Sequence, residues 1–270
     1  ALTKEGTLGL FPMIFGTAIV AAWQQLVAGS RDSRGNLSAV IWPVVRGLLS
    51  AAVFAIVPAL IIAGWWYYRN IVLYGDWLGW SAFIAVLGER GHAASLIQLW
   101  GERRGFMMSF WGLFGGVNVS MPMWIYATLN AILIVSVAGF VFFFIQLLWV
   151  EWREFRAARE SWPARLLRPI ERNFGLIVNL VFSAAIVYGL IQWATTTWSS
   201  QGRLVFTAIS SLSTLMALGL AGSADLASKL TRGRISLRPW LIGGVAAFML
   251  LVTAAAPWLW IRPAYQPPTV

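Results

Sequence analysis

The sequence predicts an all-α, polytopic transmembrane helix bundle of about six spans, with a structured outer loop between spans two and three. Three observations carry that prediction. Of the 270 residues 59% are hydrophobic and only 11% charged, with a mean hydropathy of +0.72. A soluble domain carries about 25% charged residues, so this surface could not be kept in water. The uncharged stretches also recur at or above the roughly 20 residues needed to cross about 30 Å of hydrocarbon. Finally, the 20 basic residues stand in short clusters between those stretches, as in a chain threaded repeatedly through a bilayer. An extramembrane enzyme is excluded, and a nucleic-acid partner is not expected without a single basic patch.

The spans are expected at about 8–28, 47–67, 123–148, 174–195, 204–224 and 240–260 of one integral membrane domain, 1–270. The uncharged run 105–150 is too long for one crossing. Gly112, Gly115, Gly116, Asn118 and Pro122 interrupt its first half, so its helix is placed from 123 onward. A charge at a helix centre costs about 2.5 to 3.5 kcal/mol on insertion scales, and none of the six cores contains one. Within the spans, Asn130, Gln146, Asn179 and Gln192 suit interhelical hydrogen bonding better than an ion path, because no charge accompanies them. Gly219 and Ser223 form a small-xxx-small pair that admits a close helix neighbour, within the bundle or in a second copy.

Alternation of the spans sorts the cations by side. Arg31, Arg34, Arg46, the six arginines of 153–172, Lys229, Arg232, Arg234 and Arg238 share one side; Lys4, Arg69, Arg90, Arg103, Arg104, Arg203 and Arg262 share the other. The richer side is expected to be cytoplasmic, which puts both termini of the chain outside and the protein in the cytoplasmic (inner) membrane. The segment 151–172 interleaves acids and bases at helical spacing and reads as a juxtamembrane helix near anionic headgroups.

About 54 residues, 69–122, join spans two and three, far more than neighbouring helices require. Apolar clusters at Phe83–Leu87 and Leu96–Trp100 alternate with Glu89, Arg90, Glu102 and Arg103, which predicts interfacial helices broken at Gly88 and Gly91. Trp and Tyr crowd this side; they form an aromatic belt, or Trp66, Trp77 and Trp111 wall a substrate groove. Lys4, Arg69, Asp76 and Arg203 stand where apolar runs meet the outer face. Cations at the mouth of an apolar cavity suit a phosphate whose lipid tail lies between helices, and they also suit snorkelling. Asp76 follows Gly75 as a turn residue would. With no cysteine and a single histidine, His92, neither thiolate nor paired-histidine metal chemistry is available.

Several of these residues occur in a recognisable order: Thr3-Lys4 opening an apolar span, Trp65-Trp66-Tyr67-Tyr68-Arg69-Asn70, Leu73-Tyr74-Gly75-Asp76-Trp77-Leu78-Gly79, Ser109-Phe110-Trp111-Gly112-Leu113-Phe114-Gly115, and Gln201-Gly202-Arg203-Leu204-Val205-Phe206. Together, over about residues 1–215, they resemble the C-terminal half of bacterial GT-C glycosyltransferases of the protein-mannosyltransferase type and related predicted membrane proteins. That resemblance implies a sugar delivered on a polyprenyl phosphate and transferred at the non-cytoplasmic face, with Lys4, Arg69 and Arg203 meeting the lipid phosphate and Asp76 ordering the loop. It also implies that the chain is the C-terminal part of something longer. The family's catalytic acid precedes everything aligned here, so no catalytic residue is assigned. No cofactor is evident, and a divalent metal enters only if that N-terminal part supplies ligands. Leu204 and Thr207 stand where similar sequences carry Tyr and Pro. The expected partners are membrane lipids, the polyprenyl-phosphate carrier and further membrane subunits. The alternative function is a non-catalytic scaffold or accessory subunit of a larger membrane complex.

Overall fold

The computed structural model describes residues 14, 16–18, 37–158, 162–231 and 237–266. Lys4 and nearly all of the expected span 8–28 lie outside the described residues. Within them helix predominates, joined by short turns and loops, and the one sheet is a two-stranded hairpin. Among the described residues, five helical stretches are long and apolar enough to cross a membrane: Val45–Tyr74, Met123–Ala157, Phe174–Thr196, Gly202–Leu230 and Arg238–Ala264. Their large apolar side chains are turned outward, as with Phe54 at 79% exposed and Ile134 at 68%. Such a surface is stable against lipid tails and untenable in water. The protein is an all-α, polytopic membrane protein.

Contacts divide the chain into two compact units, Ala1–Ala93 with Thr196–Trp198, and Ala94–Thr195 with Ser199–Val270. In the first, α1 (Leu37–Tyr74) runs for 38 residues, about 57 Å at 1.5 Å per residue. It continues through Arg69, beyond the 67 at which the span was expected to end. A charge marks where hydrocarbon gives way to headgroups, but it does not stop a helix; Gly75, with φ 66°, does. A tight turn then leads into α2 (Trp80–Leu87), which ends at Gly88. Beyond it Glu89 bridges to Thr197, and the Arg90 amide donates to the Thr196 carbonyl at 2.9 Å.

The second unit opens with α3 (Leu96–Gly101), started by a capping box between Ser95 and Gln98, and α4 (Arg103–Trp111). A hairpin follows, β1 (Leu113–Phe114) antiparallel to β2 (Val119–Ser120), where Gly112, Gly115, Gly116, Asn118 and Pro122 interrupt the uncharged run. The long α5 (Met123–Ala157) leads to α6 (Trp162–Arg172) and to α7 (Phe174–Thr196), all but the last residue of which belongs to this unit. The segment Gly202–Ala208 coils as a 3-10 helix and continues as α8 (Ile209–Leu230). After α9 (Arg238–Ala256), a π-helical turn at Pro257–Ile261 and α10 (Arg262–Ala264) complete the last span.

Two kinds of packing hold this unit together. Near the hairpin, buried Met121, Ile125, Tyr126 and Leu129 gather Met108, Trp111, Phe114, Phe248, Val252 and Trp260 around them. Along the bundle, α5 and α8 cross with backbones touching. A Cβ placed on Gly139 would run into the Gly219 carbonyl and Ser223, one on Gly219 into the Ser136 carbonyl, and one on Gly222 into the Gly139 carbonyl. The Ser223 hydroxyl donates to the Val135 carbonyl at 2.7 Å. The small pair Gly219 and Ser223 is thus consumed inside the chain. Where lipid removes most of the hydrophobic drive between helices, close van der Waals contact of this kind holds them. The pairs Ser136 with Gly219 and Gly139 with Gly222 advance together, so α5 and α8 run parallel.

This parallel pairing gives the second unit two distinct ends. The hairpin end carries α3, α4, the starts of α5 and α8, and Tyr265, whose hydroxyl lies beside Gly115. The opposite end carries the end of α5, α6 and the start of α7. There the Arg172 guanidinium spans Glu151 and Glu154, 2.7 Å from each, and both carboxylates raise its pKa, Glu154 foremost. Asn173 donates to Glu151 at 2.8 Å. The helix α5 runs on to Ala157, well past 148, because Glu151, Arg153, Glu154 and Arg156 are all compatible with helix outside the hydrocarbon.

Candidate functional site

Each unit presents one cluster built from the residues singled out above. In the first, Asp76 organises the turn between α1 and α2. Its Oδ1 accepts from the Leu78 amide at 3.0 Å, and its Oδ2 from the amides of Trp80 at 2.6 Å and Ser81 at 3.2 Å. Asp76 therefore caps α2 from a position outside it, satisfying amides that the first helical turn leaves without partners. The Leu78 amide foremost, with those of Ser81, Trp80 and Gly79, holds the carboxyl below its ordinary value against a smaller opposing effect of burial. Gly79 sits at φ 70°, where any side chain would be strained. Buried Asn70 donates to the Trp77 carbonyl at 3.4 Å, closing the turn onto α1.

The turn brings Trp77 to Tyr67, ring centroids 5.7 Å apart, and Tyr67 lies edge-on to Trp66 at 5.1 Å. Of the expected groove residues, Trp66 and Trp77 are therefore linked through Tyr67. Arg69 belongs to the same unit and is exposed on the last turns of α1. Nearby in sequence, Arg90 donates through Nε to the Thr197 carbonyl at 3.0 Å and lies 4.4 Å from the ring centre of exposed Trp198.

In the second unit the segment carrying Arg203 is fixed by side chains of α4. The Gly202 amide donates to the buried Ser109 hydroxyl at 2.7 Å, and that hydroxyl donates to the Phe106 carbonyl at 2.9 Å. Gly202 lies against α4 so closely that a Cβ there would run into the Phe106 carbonyl and Phe110. Ser200 donates to the Glu102 carboxylate, and Phe110 meets Phe206 edge-on at 5.8 Å. Arg203 thus leaves a backbone held on both sides, and it is half-buried. Trp111, the third groove residue, is in this unit and donates through Nε1 to Asn130 Oδ1 at 2.8 Å. Asn130 accordingly serves as interhelical glue, whereas Asn179 donates to the Gly175 carbonyl of its own helix.

Sequence reasoning did not single out Glu102, Ser109 or Ser200 as positioning groups. Ser109 and Gly202 stood inside the quoted motifs, but nothing linked them across the 93 residues between. Among the described residues no group of three or more His, Asp or Glu side chains comes together to hold a metal ion. In comparisons with protein-family models, curated proteins and solved structures, nothing matches the chain.

Proposed function

We propose that the protein recognises a lipid-linked phosphate at the non-cytoplasmic face, as the carrier-binding part of a GT-C-type glycosyltransferase using a polyprenyl-phosphate sugar. The observation that carries this reading is the fixed Gly202–Arg203 turn. An arginine whose backbone is pinned at Gly202 by Ser109, with Ser200 three residues before it tied to Glu102, presents its guanidinium from a fixed point, so only the side chain has to be ordered when it takes a phosphate. It stands at the hairpin end, beside apolar helices that can accommodate a tail. Arg69 and Lys4 are the further phosphate ligands that the family resemblance implies, and Asp76 orders its own loop. The sidedness is supported by charge: Arg153, Arg156, Arg165, Arg168, Arg172, Lys229 and Arg238 sit at the opposite end, against Arg103, Arg104, Arg203 and Arg262 at the hairpin end. The positive-inside rule makes the richer end cytoplasmic.

One observation favours the second reading, a non-catalytic scaffold or accessory subunit. Two of the carboxylates near these clusters are committed to structure, Asp76 to backbone amides and Glu102 to Ser200. The test is binding of a polyprenyl phosphate to the purified chain and to Arg203→Gln and Arg69→Gln variants. Loss of one charged hydrogen bond predicts affinity about tenfold weaker or more in Arg203→Gln. Unchanged affinity in both variants removes the proposed site. Stoichiometric co-purification with other membrane subunits, with no carrier binding, establishes the scaffold reading instead.

A further inference from the structure

The end of the bundle away from Arg203 carries a second arrangement, which plays no part in carrier recognition. On the last turns of α5 the rings of Trp152 and Phe155 stack, with centroids 6.3 Å apart and planes 12° from parallel. Each ring holds one guanidinium: Arg156 lies 4.7 Å from the centre of Trp152, and Arg165, arriving from α6, lies 5.6 Å from that of Phe155. A cation over an aromatic face is held in place without using up its hydrogen-bond donors. The buried Nε of Arg165 has no hydrogen-bond partner.

Glu151 and Glu154 line the same cleft as Arg165, but the ion pairs they form are with Arg172. Glu151 also accepts from Asn173. Across the described parts of 151–172, five arginines face three glutamates, Glu171 being the third and exposed. The cluster therefore keeps a positive balance, and Lys229 adds to it at the same end of α8. Just before the ring pair, the surface of α5 is apolar and bare, with Ile145 60% and Trp149 64% exposed. A free anion would use the cations alone. A phospholipid uses both features, its phosphate at the guanidinium and its acyl chains along α5.

We propose that this end of the bundle seats on anionic phospholipids, with one headgroup phosphate at Arg156 and one at Arg165, and acyl chains laid against the exposed face of α5. The inference does not depend on the carrier reading and is tested separately from it. The full chain is reconstituted in nanodiscs containing equal phosphatidylglycerol and phosphatidylcholine, and the lipids retained on release into the gas phase are identified by native mass spectrometry. Wild type is expected to retain phosphatidylglycerol preferentially, with the preference falling as ionic strength rises. Arg156→Gln and Arg165→Gln are each expected to reduce it about fivefold, and the pair about 30-fold, while Arg103→Gln/Arg104→Gln at the hairpin end leaves it unchanged. Equal retention of the two lipids by wild type, a preference insensitive to salt, or a full preference in the double variant would each overturn the proposal. The wild-type salt series decides the matter even if the double variant misfolds.

Discussion

The amide of Gly202 donates to the hydroxyl of Ser109 at 2.7 Å, joining the start of the Gly202–Leu230 span to α4 across 93 residues. Both groups are buried, so Ser109→Ala leaves an amide without a partner and costs about 1 to 3 kcal/mol. Gly202→Ala acts differently, pushing a methyl group into the Phe106 carbonyl and separating the turn from α4. Both variants are expected to lower the thermal midpoint of the detergent-solubilised protein. If Ser109→Ala melts like wild type, the bond does not hold the Arg203 turn.

The crossing of α5 and α8 makes a sharper contrast among glycines. Gly139→Ala and Gly219→Ala place a methyl group on opposing backbone carbonyls, an overpacking that costs about 1 to 3 kcal/mol. Gly243→Ala, with nothing within 4 Å of the added carbon and a helical backbone around it, is expected to leave stability unchanged or raise it by up to about 1 kcal/mol. Thermal unfolding of the three variants in one detergent measures the difference.

Asp76 supplies a dependence on pH. Its carboxyl is held below the ordinary Asp value by the Leu78 amide and its neighbours. The stability it contributes is therefore present above the unfolded value of about 4 and is lost as pH falls through the lower, folded value. Wild type is expected to melt above Asp76→Asn at neutral pH, and the gap is expected to close below about pH 4. A gap that persists in acid assigns the effect to packing.

The bond between Trp111 and Asn130 is suited to a double-mutant cycle. In membranes such interhelical bonds average about 0.6 kcal/mol and reach about 1.7. Trp111→Phe, Asn130→Leu and the double variant, measured by unfolding, should yield a coupling in that range. A coupling of zero would mean the indole and the amide merely lie side by side.

The class of fold was legible because lipid imposes a strong rule: an uncharged run of span length has to be helical. The ends of the helices were not legible, because charge reports only the exit from hydrocarbon. Helix α1 passes through Arg69 and stops at Gly75, and α5 continues through Glu151, Arg153 and Glu154. The hairpin at Leu113–Phe114 and Val119–Ser120 was hidden by glycines that read as breaks. The Asp76 turn was readable because its partners lie within five residues. The ties of Ser109 to Gly202 and of Glu102 to Ser200 were not, since pairs about a hundred residues apart meet only once the spans are assembled.

The contact of α5 with α8 also restricts how the molecule can move. Carbonyl against glycine along more than a turn leaves no slack for sliding or splaying, so these two helices travel as one rigid strut. Whatever opening a long-chain ligand requires has to come from other helices, and no acyl tail can thread between this pair.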